Sequence, residues 1–221
     1  MALIERVVPK AVAWAEACGD ETPDTTLFPA EEALLARASE RRRRDFTGGR
    51  DCAHRALRRL GVEPGAIVSG PAGEPRWPAG VLGSITHCEG YRAAAVGWAA
   101  DVPALGIDAE PNEPLPAGVL AAVAGPEEQA EIRRLTAAVR GVCVDRLLFS
   151  AKEALYKAWY PYGQRMLSFE EAVIELGADG TLVGRLLVPG PPVDGQELRG
   201  LVGRWTAGQG LVLTAMTDLL L

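Results

Sequence analysis

The chain has 221 residues, of which 48% are hydrophobic and 24% are charged. These proportions are those of an ordinary globular protein, so they exclude a wholly disordered chain, and the length suffices to bury a core without disulfide bonds. The formal net charge of −6 argues against general affinity for nucleic acid.

Two further observations narrow the class of protein. Uncharged runs are too short for a membrane-spanning helix, and the first six residues, Met-Ala-Leu-Ile-Glu-Arg, carry charges where a secretory signal needs an apolar stretch. We therefore expect a cytoplasmic protein that binds neither membrane nor nucleic acid. The four cysteines are widely separated and only two histidines are present, so any metal should be a hard cation such as Mg²⁺ held by carboxylates.

In the first half of the chain, helices are predicted to precede strands. Residues 1–29 are expected to form a loop with one short element, and helical character begins at Ala30. Apolar residues at helical spacing predict a helix over residues 50–60, which Gly61 should end. Apolar segments separated by turn residues then predict three strands, over residues 81–86, 91–98 and 104–109.

The same order recurs in the second half. Helices are predicted over residues 126–139 and 144–159, the second of which should stop before Pro161. The strands predicted after them cover residues 172–176, 181–188, 201–206 and 211–217, and Gly208-Gln209-Gly210 predicts a hairpin between the last two. Helices followed by strands, twice, predict an α+β chain of two similar lobes with a boundary near residues 104–115.

Asp108 and Glu110 lie two positions apart on a predicted strand. Their side chains therefore point to the same side. Two carboxylates at the end of an apolar strand could provide oxygen ligands to a divalent cation. The alternative is a strand that simply runs out into solvent.

A second cluster is the helical segment that contains Lys152, Glu153 and Lys157. Glu153 and Lys157 share a helix face, which is also the commonest arrangement of a surface ion pair. The chain has 23 basic residues, but only Lys10, Lys152 and Lys157 are lysines. Two lysines within six positions of each other indicate that a compact charge is needed there, as it is at a phosphate.

The basic residues also include a dense run of arginines between Arg37 and Arg59. Such a run is usually a solvated helix face, but in an acidic protein it could equally bind one small ligand with several phosphates. Ser84-Ile-Thr-His87 follows a predicted strand and precedes a turn. His87 could meet a ligand there or be structural.

In this order and spacing, these clusters resemble the 4′-phosphopantetheinyl transferases of the Sfp and enterobactin-synthetase type, and in particular an actinobacterial-like branch. The motifs that carry the resemblance are Arg42-Arg43 with Phe46 and Arg50; Gly73-Glu-Pro with Trp77 and Ser84-Ile-Thr-His87; Gly106-Ile-Asp108-Ala-Glu110; and Lys152-Glu153-Ala-Leu-Tyr-Lys157.

The resemblance implies a monomeric pseudo-dimer of two similar α+β lobes, with a ligand cleft between them. The N-terminal lobe, residues 1–105, would carry the arginines that bind the nucleotide of coenzyme A, and residues 106–221 the metal and catalytic motifs. The implied enzyme transfers the 4′-phosphopantetheine arm of coenzyme A to a serine of an apo acyl, polyketide or peptidyl carrier protein. It releases adenosine 3′,5′-bisphosphate.

The resemblance also implies roles for individual residues. Asp108, Glu110 and Glu153 would hold Mg²⁺ or Mn²⁺, and Glu153 would also deprotonate the carrier serine. Lys157, assisted by Lys152, would stabilise the leaving group. The implied contacts with the nucleotide phosphates are Arg50, His87 and either Arg42 or Arg43, and the further contacts with coenzyme A are Ser69, Gly70, Pro71, Ala72, Thr86 and Asp108.

Two other interpretations stay open. The arginines could belong to a non-enzymatic protein that binds polyanions. Alternatively, the carboxylates could serve a metal-dependent phosphodiesterase that hydrolyses nucleotides similar to coenzyme A. The sequence also leaves open whether carriers of fatty-acid, polyketide or nonribosomal peptide synthesis are used.

Overall fold

Two antiparallel sheets, each packed against one long helix, make up most of the structure, a computed structural model that describes residues 2–19 and 25–221. The helices are α1 (Pro29–Glu32), α2 (Glu40–Arg59), α3 (Val119–Val123), α4 (Pro126–Ala138) and α5 (Val144–Gly163). The strands are β1 (Ala13–Cys18), β2 (Val81–Cys88), β3 (Tyr91–Trp98), β4 (Gly106–Pro111), β5 (Ala172–Leu176), β6 (Thr181–Leu186), β7 (Pro192–Val193), β8 (Gln196–Glu197), β9 (Gly200–Gly208) and β10 (Leu211–Leu220).

The sheet changes between β3 and β4. The first sheet has the strand order β1-β3-β2, and the second has the order β4-β10-β9-β6-β5, with β7 and β8 as a separate pair. The predicted α+β class is therefore confirmed. The division into lobes at residues 105 and 106 stays a prediction, although it falls where the chain leaves the first sheet.

Helix α2 covers the first sheet. Ser39 caps its start by accepting a hydrogen bond from the N–H of Arg42. Gly48 and Gly49 lie inside the helix, and a Cβ added at Gly49 would lie 3.0 Å from Ile85 of β2. Glycine thus lets the helix lie close to the strands, at some cost in helix propensity. The predicted start at residue 50 was wrong because these glycines and the charged run conceal the apolar period.

Helix α5 packs against β4 and β10, at the centre of the largest core. A Cβ on Gly106 of β4 would lie 2.2 Å from the backbone oxygen of Ala154 and 2.6 Å from the backbone nitrogen of Ala158. Only glycine allows this approach. It brings the strand that carries Asp108 directly against the helix that carries Glu153 and Lys157.

Strands β2 and β4 belong to different sheets and are joined through side-chain hydroxyl groups. Ser84 Oγ accepts a hydrogen bond from the N–H of Ile107 over 3.0 Å. Thr86 Oγ1 accepts one from the N–H of Ala109, also over 3.0 Å. Where the two sheets meet, two side-chain hydroxyls thus accept the hydrogen bonds that strand carbonyls accept within a sheet.

Most later elements agree with the sequence predictions. Residues 91–98 and 172–176 are strands with the predicted bounds, and the hairpin at Gln209 and Gly210, which have φ values of 54° and 77°, is confirmed.

Other elements also differ from the predictions. Strands β1, β7 and β8 and helix α3 were not predicted, and α5 continues through Pro161. A proline near a helix end removes only one hydrogen bond, so it need not stop the helix. The part of the predicted N-terminal loop at residues 1 and 20–24 lies outside the described residues.

Candidate active site where the two sheets meet

A cavity of about 460 Å³ lies where the two sheets meet. Helix α2 and strand β2 form one side, the last turns of α5 form the opposite side, and residues 69–75 form the rim. One end of the cavity is basic. The other end leads, through Lys157, to the carboxylates of β4 and α5, none of which is among the lining residues.

Arg50 is the most deeply buried charge at the basic end. Its Nε donates to the carbonyl oxygen of Ile67 over 2.9 Å, and its guanidinium lies 4.3 Å from the centre of the Phe46 ring. Burial lowers the pKa of Arg50 to about 10, the negative charge of Glu31 opposes this, and the positive charge of Arg42 adds to it. Arg50 therefore remains a cation at neutral pH in a place where a bound anion would relieve the cost of burying it.

Of the two arginines that the sequence could not tell apart, Arg42 lines the cavity. Arg43 turns away, and its guanidinium binds the carboxylate of Glu32 and the carbonyl oxygen of Leu35. The structure therefore brings Arg42, and not Arg43, to the site.

His87 lines the cavity near Arg42 and Lys157. His87 is an exposed residue, yet the protein atoms around its ring lower its pKa by desolvation; Asp45 opposes this effect, and the charges of Lys157 and Arg42 add to it. Asp45 is itself bound by Arg92 over 2.7 Å. The histidine is thus neutral at pH 7, in a setting that a bound phosphate would make more favourable for its protonated form.

The rim segment contains the predicted coenzyme A contacts at residues 69–72. Ser69 and Ala72 line the cavity, whereas Gly70 and Pro71 are not among its lining residues. The carboxylate of Glu74 accepts a hydrogen bond from the N–H of Ala72 over 3.0 Å and lies where a Cβ of Gly70 would be. The Gly-Glu-Pro motif therefore gives this turn its shape.

Trp77 lines the cavity behind the rim and packs flat against β2. A Cβ on Gly83 would lie 2.5 Å from its indole ring. Glycine at this position of β2 thus makes room for the ring in the cavity wall.

Asp108 is the central carboxylate of the group that Lys157 connects with the cavity. Its Oδ1 accepts hydrogen bonds from Thr86 Oγ1 over 3.2 Å and from Lys157 Nζ over 2.7 Å. Its Oδ2 is buried and has no hydrogen-bond partner among the described residues. A buried carboxylate oxygen without a partner is costly, so this atom is a candidate ligand for a cation.

Lys157 connects this carboxylate with the cavity, which its own side chain lines. Besides Asp108, its ammonium binds the carbonyl oxygen of Ile107 over 3.1 Å. An ammonium group has three N–H donors, so one remains for a ligand.

Glu110 and Glu153 complete the acidic group. For both residues burial raises the pKa, and the negative charge of Asp108 raises it further. Glu110 is held by Arg146 over 2.9 Å. Each glutamate is therefore close enough to Asp108 to be repelled by its charge.

The donor chemistry fits a hard divalent cation, because all three candidates offer oxygen and one oxygen is unused. Across residues 2–19 and 25–221, however, no three acidic, histidine or cysteine side chains already form a metal-binding group. Lys157 and Arg146 now take up part of the carboxylate charge. The protein thus provides a partial ligand set that water or substrate oxygens must complete.

Lys152 is a predicted site residue that the structure does not bring to the cavity. It is buried, and its ammonium binds Glu128 Oε2 over 2.9 Å and the carbonyl oxygens of Phe169 and Ala172 over 2.7 and 3.1 Å. These three acceptors use all three of its N–H donors. Lys152 therefore ties α5 to α4 and β5 instead of facing a ligand.

Sequence reasoning missed Glu31, His54 and Arg146. Glu31 is fully buried behind Arg50, and its position three residues after Phe28, the residue that precedes α1, is that of a capping acid. A glutamate in the first turn after proline is a recognisable helix-start signal. No sequence signal, however, indicates that this glutamate is buried near a ligand site.

No helix in the described residues is long and apolar enough to cross a bilayer. The family model of the 4′-phosphopantetheinyl transferase N-terminal domain matches residues 30–97, and that of the 4′-phosphopantetheinyl transferase superfamily matches residues 104–207. Three curated proteins are similar over most of their length and of this chain.

The 4′-phosphopantetheinyl transferase Svp of Streptomyces mobaraensis is 53% identical over 89% of this chain and 80% of its own. The 4′-phosphopantetheinyl transferase Npt of Nocardia iowensis is 46% identical over 97% of this chain and 99% of its own. PptT of Mycobacterium tuberculosis, also a 4′-phosphopantetheinyl transferase, is 46% identical over 97% of both chains.

Proposed function

The chain belongs to the 4′-phosphopantetheinyl transferase superfamily, and on this premise we propose that the cavity where its two sheets meet is the site of transfer. Members of the family move the phosphopantetheine group from coenzyme A to carrier proteins, and this chain is such a transferase. The proposal concerns which residues bind the donor, which hold a metal, and which move the proton. It includes a cytoplasmic, monomeric enzyme that acts on apo acyl, polyketide or peptidyl carriers.

The basic end of the cavity binds the nucleotide of coenzyme A, and in particular its 3′-phosphate. Arg42, Arg50 and His87 meet there, and the charge of Arg42 lowers the pKa of both other groups. The negative charge of a bound phosphate would offset the repulsion between these positively charged groups. Arg50 offers its terminal amino groups, because its Nε is already used by Ile67.

The acidic end holds Mg²⁺ or Mn²⁺ through Asp108, Glu110 and Glu153. When bound, the metal would neutralise charge that develops on the pyrophosphate. Thr86 fixes Asp108 through Oδ1 and leaves Oδ2 to the metal. Arg146 balances the charge of Glu110, and a bound cation would share this role.

Glu153 takes the proton of the carrier serine. As the proton leaves, the serine oxygen forms a bond to the β-phosphorus of coenzyme A, and the bond from that phosphorus to the bridging oxygen breaks. The electron pair remains on the departing adenosine 3′,5′-bisphosphate. Lys157, which has one free N–H and lines the cavity, stabilises that charge.

One observation carries the proposal. The Oδ2 of Asp108 has no hydrogen-bond partner among the described residues, and its carboxylate binds Lys157, which lines the same cavity as Arg42 and Arg50. An unpartnered carboxylate oxygen beside a cavity that is lined by arginines and a lysine suits a metal-bound polyphosphate.

The test is Glu153→Gln, compared with Glu170→Gln, an exposed glutamate on the turn before β5. Calorimetry should show that coenzyme A binds to both variants as it does to the wild type. Turnover of an apo carrier should fall at least ~100-fold in Glu153→Gln alone, as expected for loss of a general base. A fully active Glu153→Gln variant would remove this residue from the proton transfer.

A further inference from the structure

A buried polar cluster lies directly behind the basic end of the cavity. It consists of Glu31, His54, Arg50 and the backbone of Ile67, and we call it the Glu31 cluster. Glu31 is 0% exposed and His54 4%, and neither lines the cavity. Arg50 is the member that reaches the cavity wall, so the cluster connects the protein interior with the proposed phosphate site.

The carboxylate of Glu31 organises this cluster. Its Oε1 accepts hydrogen bonds from His54 Nε2 over 3.0 Å and from the N–H of Ile67 over 2.8 Å. Its Oε2 accepts one from the N–H of Phe28 over 3.0 Å. Arg50 Nε lies 3.8 Å from Oε1.

Arg50 is held from two directions by this arrangement. Its Nε donates to the carbonyl oxygen of Ile67, while Glu31 binds the N–H of that same residue. The Phe46 ring covers the guanidinium. Glu31 therefore fixes both the charge that faces Arg50 and the backbone group to which Arg50 is anchored.

Glu31 is ionised in this setting. Burial alone would raise its pKa, but the hydrogen bonds from His54, Ile67 and Phe28 outweigh burial and hold the pKa below its ordinary value. A buried carboxylate that is satisfied in this way also offsets the cost of burying Arg50. His54 supplies one of the hydrogen bonds on which this depends.

We propose that Glu31 and His54 are positioning residues, which hold Arg50 in the orientation that binds the 3′-phosphate of coenzyme A. This inference rests on the proposed function, because it assumes that the phosphate lies at the basic end of the cavity. Neither residue touches the donor. Their effect is confined to the ligand group that Arg50 meets.

The test compares coenzyme A with 3′-dephospho-coenzyme A as donor. The wild type should have a lower KM for coenzyme A than for the dephospho donor. Glu31→Gln places an amide N–H₂ among N–H donors, so the KM for coenzyme A should rise about 10-fold, which corresponds to ~1.4 kcal/mol. The KM for the dephospho donor and the kcat with either donor should stay within about twofold.

His54→Gln is the milder variant, and it should shift the same preference in the same direction by a smaller factor. It keeps the proposal testable if Glu31→Gln does not fold, as judged by circular dichroism. Glu128→Gln is the matched control. Glu128 is 3% exposed and accepts hydrogen bonds from the N–H groups of Gly125 and Ile174, so this variant should lose thermal stability and keep the donor preference.

Arg50→Ala separates the two levels of the argument. If Arg50→Ala keeps the wild-type preference, or the wild type shows none, the proposed 3′-phosphate site is wrong. If Arg50→Ala loses the preference while folded Glu31→Gln and His54→Gln keep it, the site stands and the positioning role is wrong. A uniform loss of kcat with both donors in the Glu31 and His54 variants also contradicts positioning.

Discussion

Thr86 joins the two sheets and orients the central carboxylate through a single oxygen atom. Its hydroxyl accepts a hydrogen bond from the N–H of Ala109 and donates one to Asp108. The sequence motif that contains it was interpreted as a contact with coenzyme A. The geometry instead suggests that Thr86 acts through Asp108, while its neighbour His87 faces the cavity.

Replacing Thr86 tests this role. Thr86→Val keeps the shape but leaves the N–H of Ala109 without a partner, which should lower the free energy of unfolding by about 1–3 kcal/mol. The Mg²⁺ concentration for half-maximal activity should also rise, because Asp108 is no longer oriented. Urea unfolding and a Mg²⁺ titration measure the two effects, and Thr86→Ser, which keeps the hydroxyl, should restore both.

The residue types of the site could be predicted from the sequence, but several side-chain directions could not. Asp108, Glu153 and Lys157 lie together as their motifs indicate. Lys152 is adjacent to Glu153 in the chain, yet it is buried against Glu128. The direction of its side chain depends on which hydrogen-bond acceptors α4 and β5 bring near it. Such acceptors come from distant parts of the chain, and no local pattern reveals them.

At the scale of elements, the close contact between β4 and α5 sets the distance between the carboxylates and Lys157. Gly106 makes this contact through the absence of a side chain. Gly65, in contrast, has open space where a Cβ would be. An alanine at Gly106 therefore changes the spacing of β4 and α5 without a change of charge, and an alanine at Gly65 leaves it unchanged.

Gly106→Ala should push α5 away from β4 because the added Cβ meets backbone atoms that cannot rotate aside. Overpacking of this kind costs about 1–3 kcal/mol, and activity should fall because Asp108 and Lys157 separate. Thermal unfolding and carrier modification assays would measure both. Gly65→Ala serves as the control, and a Gly106→Ala variant as active and stable as that control would contradict the account.

The elements with a clear period were predicted well, and those without one were not. β3 shows a nearly continuous apolar run and matched its predicted bounds. β1 is short and rich in alanine, which has little preference for strands, and it is a strand because β3 pairs with it. The first half of α2 lacks a regular apolar face because glycines and paired charges make its contacts.

At the scale of the whole molecule, an acidic protein lines one cavity with basic side chains. The net charge is −6, yet Arg42, Arg50, His87 and Lys157 all line the same space. A field of this kind draws in a polyanionic ligand and is screened by salt. It also makes the cavity sensitive to pH through His87.

The sign of this pH dependence follows from the lowered pKa of His87. Between that value and the ordinary 6.5, the unfolded chain binds more protons than the folded protein, so stability from this group falls as pH falls through the window. The melting temperature of the wild type, measured relative to that of His87→Gln, should therefore decrease from pH 7 to pH 5. Bound coenzyme A should raise the pKa of His87 in an NMR titration. A difference in melting temperature between wild type and His87→Gln that does not change with pH would contradict the lowered pKa of His87.

The most direct test of the central claim is the intact mass of an apo carrier protein after incubation with this enzyme and coenzyme A. With Mg²⁺ the account predicts a gain of one phosphopantetheine per carrier, which is absent with EDTA, with the Asp108→Asn variant and with a carrier whose acceptor serine is replaced by alanine. An equal gain in EDTA would contradict the metal site. Consumption of coenzyme A with no gain of carrier mass would instead indicate a phosphodiesterase.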